Sequence, residues 1–327
     1  MFVKFIVSDI MLKVIGYDGN NIKTIDLSDI TDSNYKIIWI DCYNPEEEEI
    51  ATLSKYLNID VDDLKIGLDE QEFPRVEEEE DYYLIIYKAP LFEEDITTTS
   101  FGIYIKNNII LTLHRDKIMS IGRIYTLFKT KKPKNILDRG IGFFIYILLN
   151  QITLSYSRII LNLEDKLDEL EDNLLKNDDQ NITTEILQLR KTLVYFHKAL
   201  LSNKDVLSVL KRRYLPITTE EDREYIEDIY YDTLQLIDME TTYRELLVSM
   251  MDMSLSLENI RMNQIMKILT MVTTLFAVPM WISGIFGMNF KYMPLVDNVY
   301  GFWIVVGVSI LIIGVLFHIF IKEKWIL

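Results

Sequence analysis

Residues 266–290 read MKILTMVTTLFAVPMWISGIFGMNF. No charged side chain occurs from Ile268 to Phe290, and after a short loop none occurs from Asn298 to Ile321. Each run is long enough to cross a bilayer, which takes about 20 apolar residues at 1.5 Å per residue. Two buried core helices would rarely run so long without a charge. The flanks agree with two membrane spans. Trp281, Trp303 and Trp325, with Tyr292 and Tyr300, lie near the span ends, where amphipathic rings settle. Lys267, Lys322 and Lys324 lie just outside the spans on one side, whereas the loop between them carries only Lys291 and Asp297. This bias puts both termini in the cytoplasm and the loop outside, in a cell-membrane protein. The N-terminus has no long apolar stretch of signal-peptide type.

The bulk of the 327 residues precedes the first span. A single cysteine, Cys42, excludes an intrachain disulfide framework. The three histidines, His114, His197 and His318, form no metal-ligand motif. The formal net charge of −16 argues against a nucleic-acid partner, which calls for a basic stripe. It suits instead a mass that concentrates cations and offers hard oxygen ligands to Mg²⁺ or Ca²⁺. The scattered glycines form no nucleotide cradle, and no acid–base pair or nucleophile motif points to an enzyme. No organic cofactor is implied.

Six regions are expected. Residues 1–115 read as a cytoplasmic α/β domain: strands at Phe2–Val7, Lys36–Asp41, Tyr82–Tyr87, Phe101–Ile105 and Ile109–His114, with helices near Pro45–Leu57 and Val61–Leu68. Residues 116–218 read as helical, with segments near 116–130, 137–177 and 181–213 and a turn at residues 178–181. An acidic hairpin holds Glu164, Asp165, Asp168, Glu169, Glu171 and Asp172, most simply a solvated face. Residues 219–290 form a stalk helix continuous with the first span. Residues 291–299 are an extracellular loop, 300–321 the second span and 322–327 a basic tail. The stalk holds no Gly or Pro from Thr218 to Val278, so it can run unbroken for roughly 90–100 Å. A lone helix of that length needs partners along its face, which points to a bundle of copies.

Traced back from Met280 in alternating steps of three and four, the stalk shows Met280, Ala277, Thr273, Thr270, Met266, Asn263, Asn259, Ser256 and Asp252. This 3-4 stripe is the seam of a helical bundle. An ordinary seam holds Leu, Ile and Val; this one holds small, hydroxyl and amide groups. Its shoulders are apolar: Leu255, Leu257, Ile265, Ile268, Leu269, Val272, Leu275 and Phe276. Small residues alone would also serve close helix approach in lipid, but Asn259, Asn263 and Asp252 continue the stripe below the membrane. About five such helices would pack through the shoulders and leave the polar line on an axial channel.

Gly287-Met288-Asn289 ending the first of two C-terminal spans resembles the signature of the CorA family of magnesium channels and transporters. The setting is similar too: Met266-Lys267-Ile268-Leu269-Thr270 opens the span, Tyr292-Met293-Pro294 follows it, and Phe73-Pro74-Arg75-Val76-Glu77 looks like a segment of the family's cytoplasmic domain. The resemblance covers essentially the whole chain. It implies an α+β membrane protein forming a homopentameric funnel that moves Mg²⁺, with Co²⁺ or Ni²⁺, into the cytoplasm. It places the selectivity filter at Gly287, Met288 and Asn289, with Asn289 and Gly287 facing the ion. Pore-lining positions fall on Met280, Ala277, Thr273, Leu269, Met266, Asn263 and Asp252, so Leu269 and Thr270 compete for one place. A regulatory Mg²⁺ between subunits would be held by Asp228 and Glu93. The chain departs from the family at Ala277-Val278, where a bulky residue and proline are usual, and at Leu295, where an acid often follows Met-Pro. A zinc-transporting relative and a non-conducting coiled-coil scaffold remain the competing readings.

Overall fold

The computed structural model describes residues 11–30, 34–92, 96–130, 134–176, 182–212 and 218–323, with Trp325. The chain forms two compact units, residues 1–250 and 251–327.

The first unit is built on a seven-stranded sheet in the order β2-β1-β3-β7-β6-β5-β4. Its strands are β1 (Met11–Tyr17), β2 (Ile22–Thr24), β3 (Ile37–Tyr43), β4 (Arg75–Glu78), β5 (Tyr83–Phe92), β6 (Ile96–Lys106) and β7 (Ile109–His114). Only β3 and β7 pair in parallel; every other pairing is antiparallel. Two helices join β3 to β4, α1 (Glu47–Leu57) and α2 (Val61–Ile66). Alternation along the strands divides the side chains between two faces. One face, with Ile38, Ile40, Leu84, Ile86 and Leu111, packs on Ile50, Leu53, Leu57 and Leu64 of α1 and α2.

The opposite face carries the helical layer: α3 (Met119–Thr130), the short α4 (Lys134–Leu137), α5 (Ile141–Lys176) and α6 (Ile182–Arg212). Trp39 anchors it, stacked on Tyr125 at 4.6 Å and edge-on to Phe144 at 5.2 Å. Beneath it, the buried Asp41 carboxylate accepts hydrogen bonds from Thr112 Oγ1 (2.7 Å) and Tyr125 OH (2.9 Å), and lies 3.1 Å from His114 Nε2. Burial alone would raise the Asp41 pKa, but His114, Thr112 and Tyr125 hold it below the usual carboxylate range.

The strand expected at Phe2–Val7 and the turn at residues 178–181 lie outside the described residues. Strands β1, β2 and β4 escaped sequence reading. Helix α5 is apolar enough to be mistaken for a span, yet more than half of its apolar window is buried in this unit, so it is a core helix.

Strand β4 covers β5 only as far as Ile86. At Lys88 on the open edge beyond it, a side chain takes the place of a partner strand. Buried Asn203 of α6 accepts from Lys88 N at 2.9 Å and donates to Lys88 O at 2.8 Å. The carboxamide thus imitates a strand's peptide group. We expect Asn203→Leu to leave the Lys88 N–H buried without an acceptor, at about 2 kcal/mol, lowering the thermal midpoint of this unit by about 5 °C. Thermal melts of the purified protein, followed by far-UV circular dichroism, would measure the loss.

Candidate ion-conducting site

Helix α7 (Glu220–Phe286) is a single element of 67 residues, about 100 Å long. In the first unit its buried positions are Asp222, Ile226, Ile229, Thr233, Leu236, Glu240, Leu247 and Met250. Their 3-4 spacing is a bundle seam that faces the domain. Continued at the same spacing, the track reaches Ser254 and Leu257, then Met271, Leu275, Val278 and Ile282, all half-buried in the second unit. The second helix of that unit, α8 (Gly301–Lys322), has a matching half-buried track at Val305, Ser309, Ile312, Leu316 and Phe320.

The polar stripe runs two residues out of phase with this covered track, about 200° around the helix. Every one of its members, Asp252, Ser256, Asn259, Asn263, Met266, Thr270, Thr273, Ala277 and Met280, is exposed in the single chain. So up to Leu257 and again from Met271 one face of α7 is covered and the opposite face is bare, and between them every face is exposed. Angular position leaves Leu269 and Thr270 about equally far from the line through Met266, Thr273, Ala277 and Met280, at roughly 50° on either side. Both are exposed.

Within the span the hydroxyls turn inward to the backbone. Thr270 Oγ1 donates to Met266 O and Thr273 Oγ1 to Leu269 O, each at 2.8 Å, and Thr274 Oγ1 donates to Thr270 O at the same distance. A hydroxyl spent this way has only lone pairs left, so it offers acceptors. Pro279 lies inside the helix without ending it. Its missing N–H leaves the Leu275 carbonyl without its helical donor.

Gly287, Met288 and Asn289 sit just past the last helical residue, all exposed. Gly287 N donates to Ser283 O at 2.9 Å and Met288 N to Ile285 O at 3.2 Å. These bonds close the helix end, where the remaining carbonyls lack helical donors and carry about half a negative charge. A Cβ on Gly287 would lie 3.2 Å from Ser283 O, a tight contact that favours glycine at this turn. The following loop folds onto the start of α8. Gly301 is buried, and a Cβ there would lie 1.9 Å from Leu295 O; Leu295 itself takes a left-handed φ of 71°.

Asp228 lies on the exposed face of the first-unit part of α7, one turn before Asp232. Tyr146 of α5 stands beside them: burial raises its pKa first, and the charges of Asp228 and Asp232, with Tyr225, add to the rise. Among the described residues, no group of three or more acidic, histidine or cysteine side chains is placed to hold a metal. Asp228 therefore lacks a complete ligand set within the described part of one chain. Its expected partner Glu93 lies outside the described residues. The acids from Glu164 to Asp172 are exposed on α5.

A family profile described as "CorA-like Mg2+ transporter protein" matches residues 34–322. The chain is 64% identical over 312 residues to the cobalt/magnesium transport protein CorA of Methanocaldococcus jannaschii, covering 95% of this chain and 98% of that protein. It is 27% identical to the cobalt/magnesium transport protein CorA of Thermotoga maritima, covering 77% and 73%. The solved complete structure of the CorA magnesium transporter from M. jannaschii superposes with a TM-score of 0.89 at 60% identity, covering 97% of this chain and 99% of that one. With an N-terminal α/β domain, one helix passing from that domain into the first span, and a Gly-Met-Asn turn before the second, the chain belongs to the CorA-like Mg²⁺ transporter family of membrane ion transporters.

Proposed function

We propose that the chain assembles as a homopentamer that conducts Mg²⁺ into the cytoplasm along the polar stripe of α7. The carrying observation is that bare stripe, Asp252 to Met280, with exposed apolar shoulders, ending at an acceptor-rich turn. Leu255, Ile265, Ile268, Leu269, Val272 and Phe276 are all exposed. Lipid can cover those in the span; Leu255 and Ile265 lie before Lys267 and call for another copy of the chain. Packing through the shoulders would turn the stripe to a common axis. The lysine asymmetry supports both termini in the cytoplasm.

Mg²⁺ sheds water reluctantly. A ring of Asn289 amides and Gly287 carbonyls at the negative ends of the α7 helices would accept hydrogen bonds from the ion's waters without stripping them. Neutral oxygens bind weakly enough for release. The threonine hydroxyls, presenting acceptors, suit the same hydrated cation. Co²⁺ and Ni²⁺ hydrates are similar in size, so they would pass as well. The ring of Met280 and the wider Ala277 form an apolar constriction that shuts by excluding water. Asp228 would hold a regulatory Mg²⁺ with ligands from a neighbouring subunit, and that bridge would favour closure.

Asn289→Ala is expected to abolish Mg²⁺ flux in proteoliposomes and to leave the assembly's mass by light scattering unchanged. Wild-type flux through an intact assembly would remove Asn289 from the filter. For Asp252, a charge ring on the cytoplasmic side should concentrate the ion, so Asp252→Asn should lower flux at low Mg²⁺ without changing oligomeric state. An unaltered flux–concentration curve would place Asp252 off the axis. Asp228→Ala should act in the opposite sense and stay conductive at cytoplasmic Mg²⁺ that shuts the wild type. Five interfaces, each biased by somewhat more than about 1 kcal/mol, together reach the roughly 5.5 kcal/mol that swings a two-state equilibrium from 1:99 to 99:1. Closure of the variant at the wild-type concentration would refute the site.

A further inference from the structure

Two buried acids interrupt the covered face of α7: Asp222 is satisfied by Thr219 N and Oγ1 at the helix start, whereas Glu240 is not fully satisfied. Glu240 is fully buried, with 0% of its side chain exposed. Its two oxygens are treated unequally. Oε2 lies 2.5 Å from His197 Nδ1 on α6, and Thr241 Oγ1 approaches it at 3.5 Å. Oε1 is buried with no hydrogen-bond partner. Arg244, one turn further along α7, brings Nε to 3.5 Å from Oε1, close enough for attraction between charges but without the geometry of a hydrogen bond. His197 reaches solvent, with 26% of its side chain exposed, and so does Arg244 with 35%.

A buried carboxylate with one unsatisfied oxygen is costly, and an apolar or neutral residue of similar shape would pack more stably. At positions 236 and 247 the same seam holds leucine. The cost would fall if α7 moved slightly against α6, since Oε1 would then meet Arg244 squarely or reach water. The bond to His197 opposes a large displacement. One residue therefore both loosens the contact and limits its travel, on the helix that continues into the pore.

We propose that Glu240 and His197 form a preloaded contact that keeps α7 poised to shift against α6, with the buried carboxylate as the load and His197 as the tether. The link to conduction rests on the pore reading above; the poise itself does not.

The two partners should then behave oppositely. Glu240→Gln removes the buried charge, the larger part of the load, while its carbonyl can still accept from His197. In the full-length protein, amide exchange across residues 193–201 and 236–244 should slow by about tenfold, and the thermal midpoint should rise. His197→Ala leaves the carboxylate with neither oxygen well paired, and exchange over the same segments should quicken by about tenfold or more. In proteoliposomes the two variants should shift the Mg²⁺ concentration that half-closes flux in opposite directions. A purely structural pair would be weakened by both changes, so faster exchange in Glu240→Gln overturns the proposal, as does unchanged exchange. Opposite exchange with an unmoved half-closing concentration overturns the coupling to the pore. If the wild type carries no Mg²⁺ at all, the pore reading fails, while the exchange experiment still decides the poise.

Discussion

A helix of 67 residues cannot be stable in water on its own, and everything about α7 answers that constraint. Isolated helices gain little from propensity; packing of an apolar face supplies most of their stability. Helix α7 obtains this from a covered track that runs with 3-4 spacing from Asp222 to Leu257 and reappears in the same phase, half-buried, from Met271 to Ile282. Where one face is committed, the opposite face is free to carry a different code. That second code, two residues out of phase, is the polar stripe.

The bilayer imposes a separate demand. Backbone groups have no water to bond there, so each must be satisfied within the protein. Both spans meet the demand as helices, and the hydroxyls of Thr270, Thr273 and Thr274 meet it by bonding to carbonyls a turn earlier. Polar residues thereby cross an apolar medium at low cost while keeping their lone pairs available. The Gly-Met-Asn turn uses the same rule in reverse. Where the helix stops, carbonyls lose their donors, and such unmet acceptors are a liability beside lipid but are left open to any donor that approaches from water.

What could be read beforehand follows from which signals are one-dimensional. The two spans, the unbroken stalk and the stripe are written as periodicities and charge gaps, so they were visible in the order of residues. Strands β3, β5, β6 and β7 were visible as β-branched runs, although β5 runs on to Phe92, past the expected end at Tyr87. Strands β1, β2 and β4 were not. Met11–Tyr17 contains Lys13 and Gly16, and Arg75–Glu78 is mostly charged; both take strand form because neighbouring strands recruit them. The covered track of α7 was equally hidden, since Asp222, Thr233 and Glu240 break its apolar pattern. Choosing between Leu269 and Thr270 fails for a geometric reason, because they flank the line through Met266, Thr273, Ala277 and Met280 almost symmetrically.

The side-chain closure of β5 has a consequence beyond stability. Copies of this domain held together in an oligomer would face each other at very high local concentration. An open strand edge under those conditions is a template for runaway strand addition between neighbours. By occupying the edge at Lys88 with its own carboxamide, Asn203 withdraws that backbone position from the template and leaves a neighbouring strand one fewer rung on which to pair.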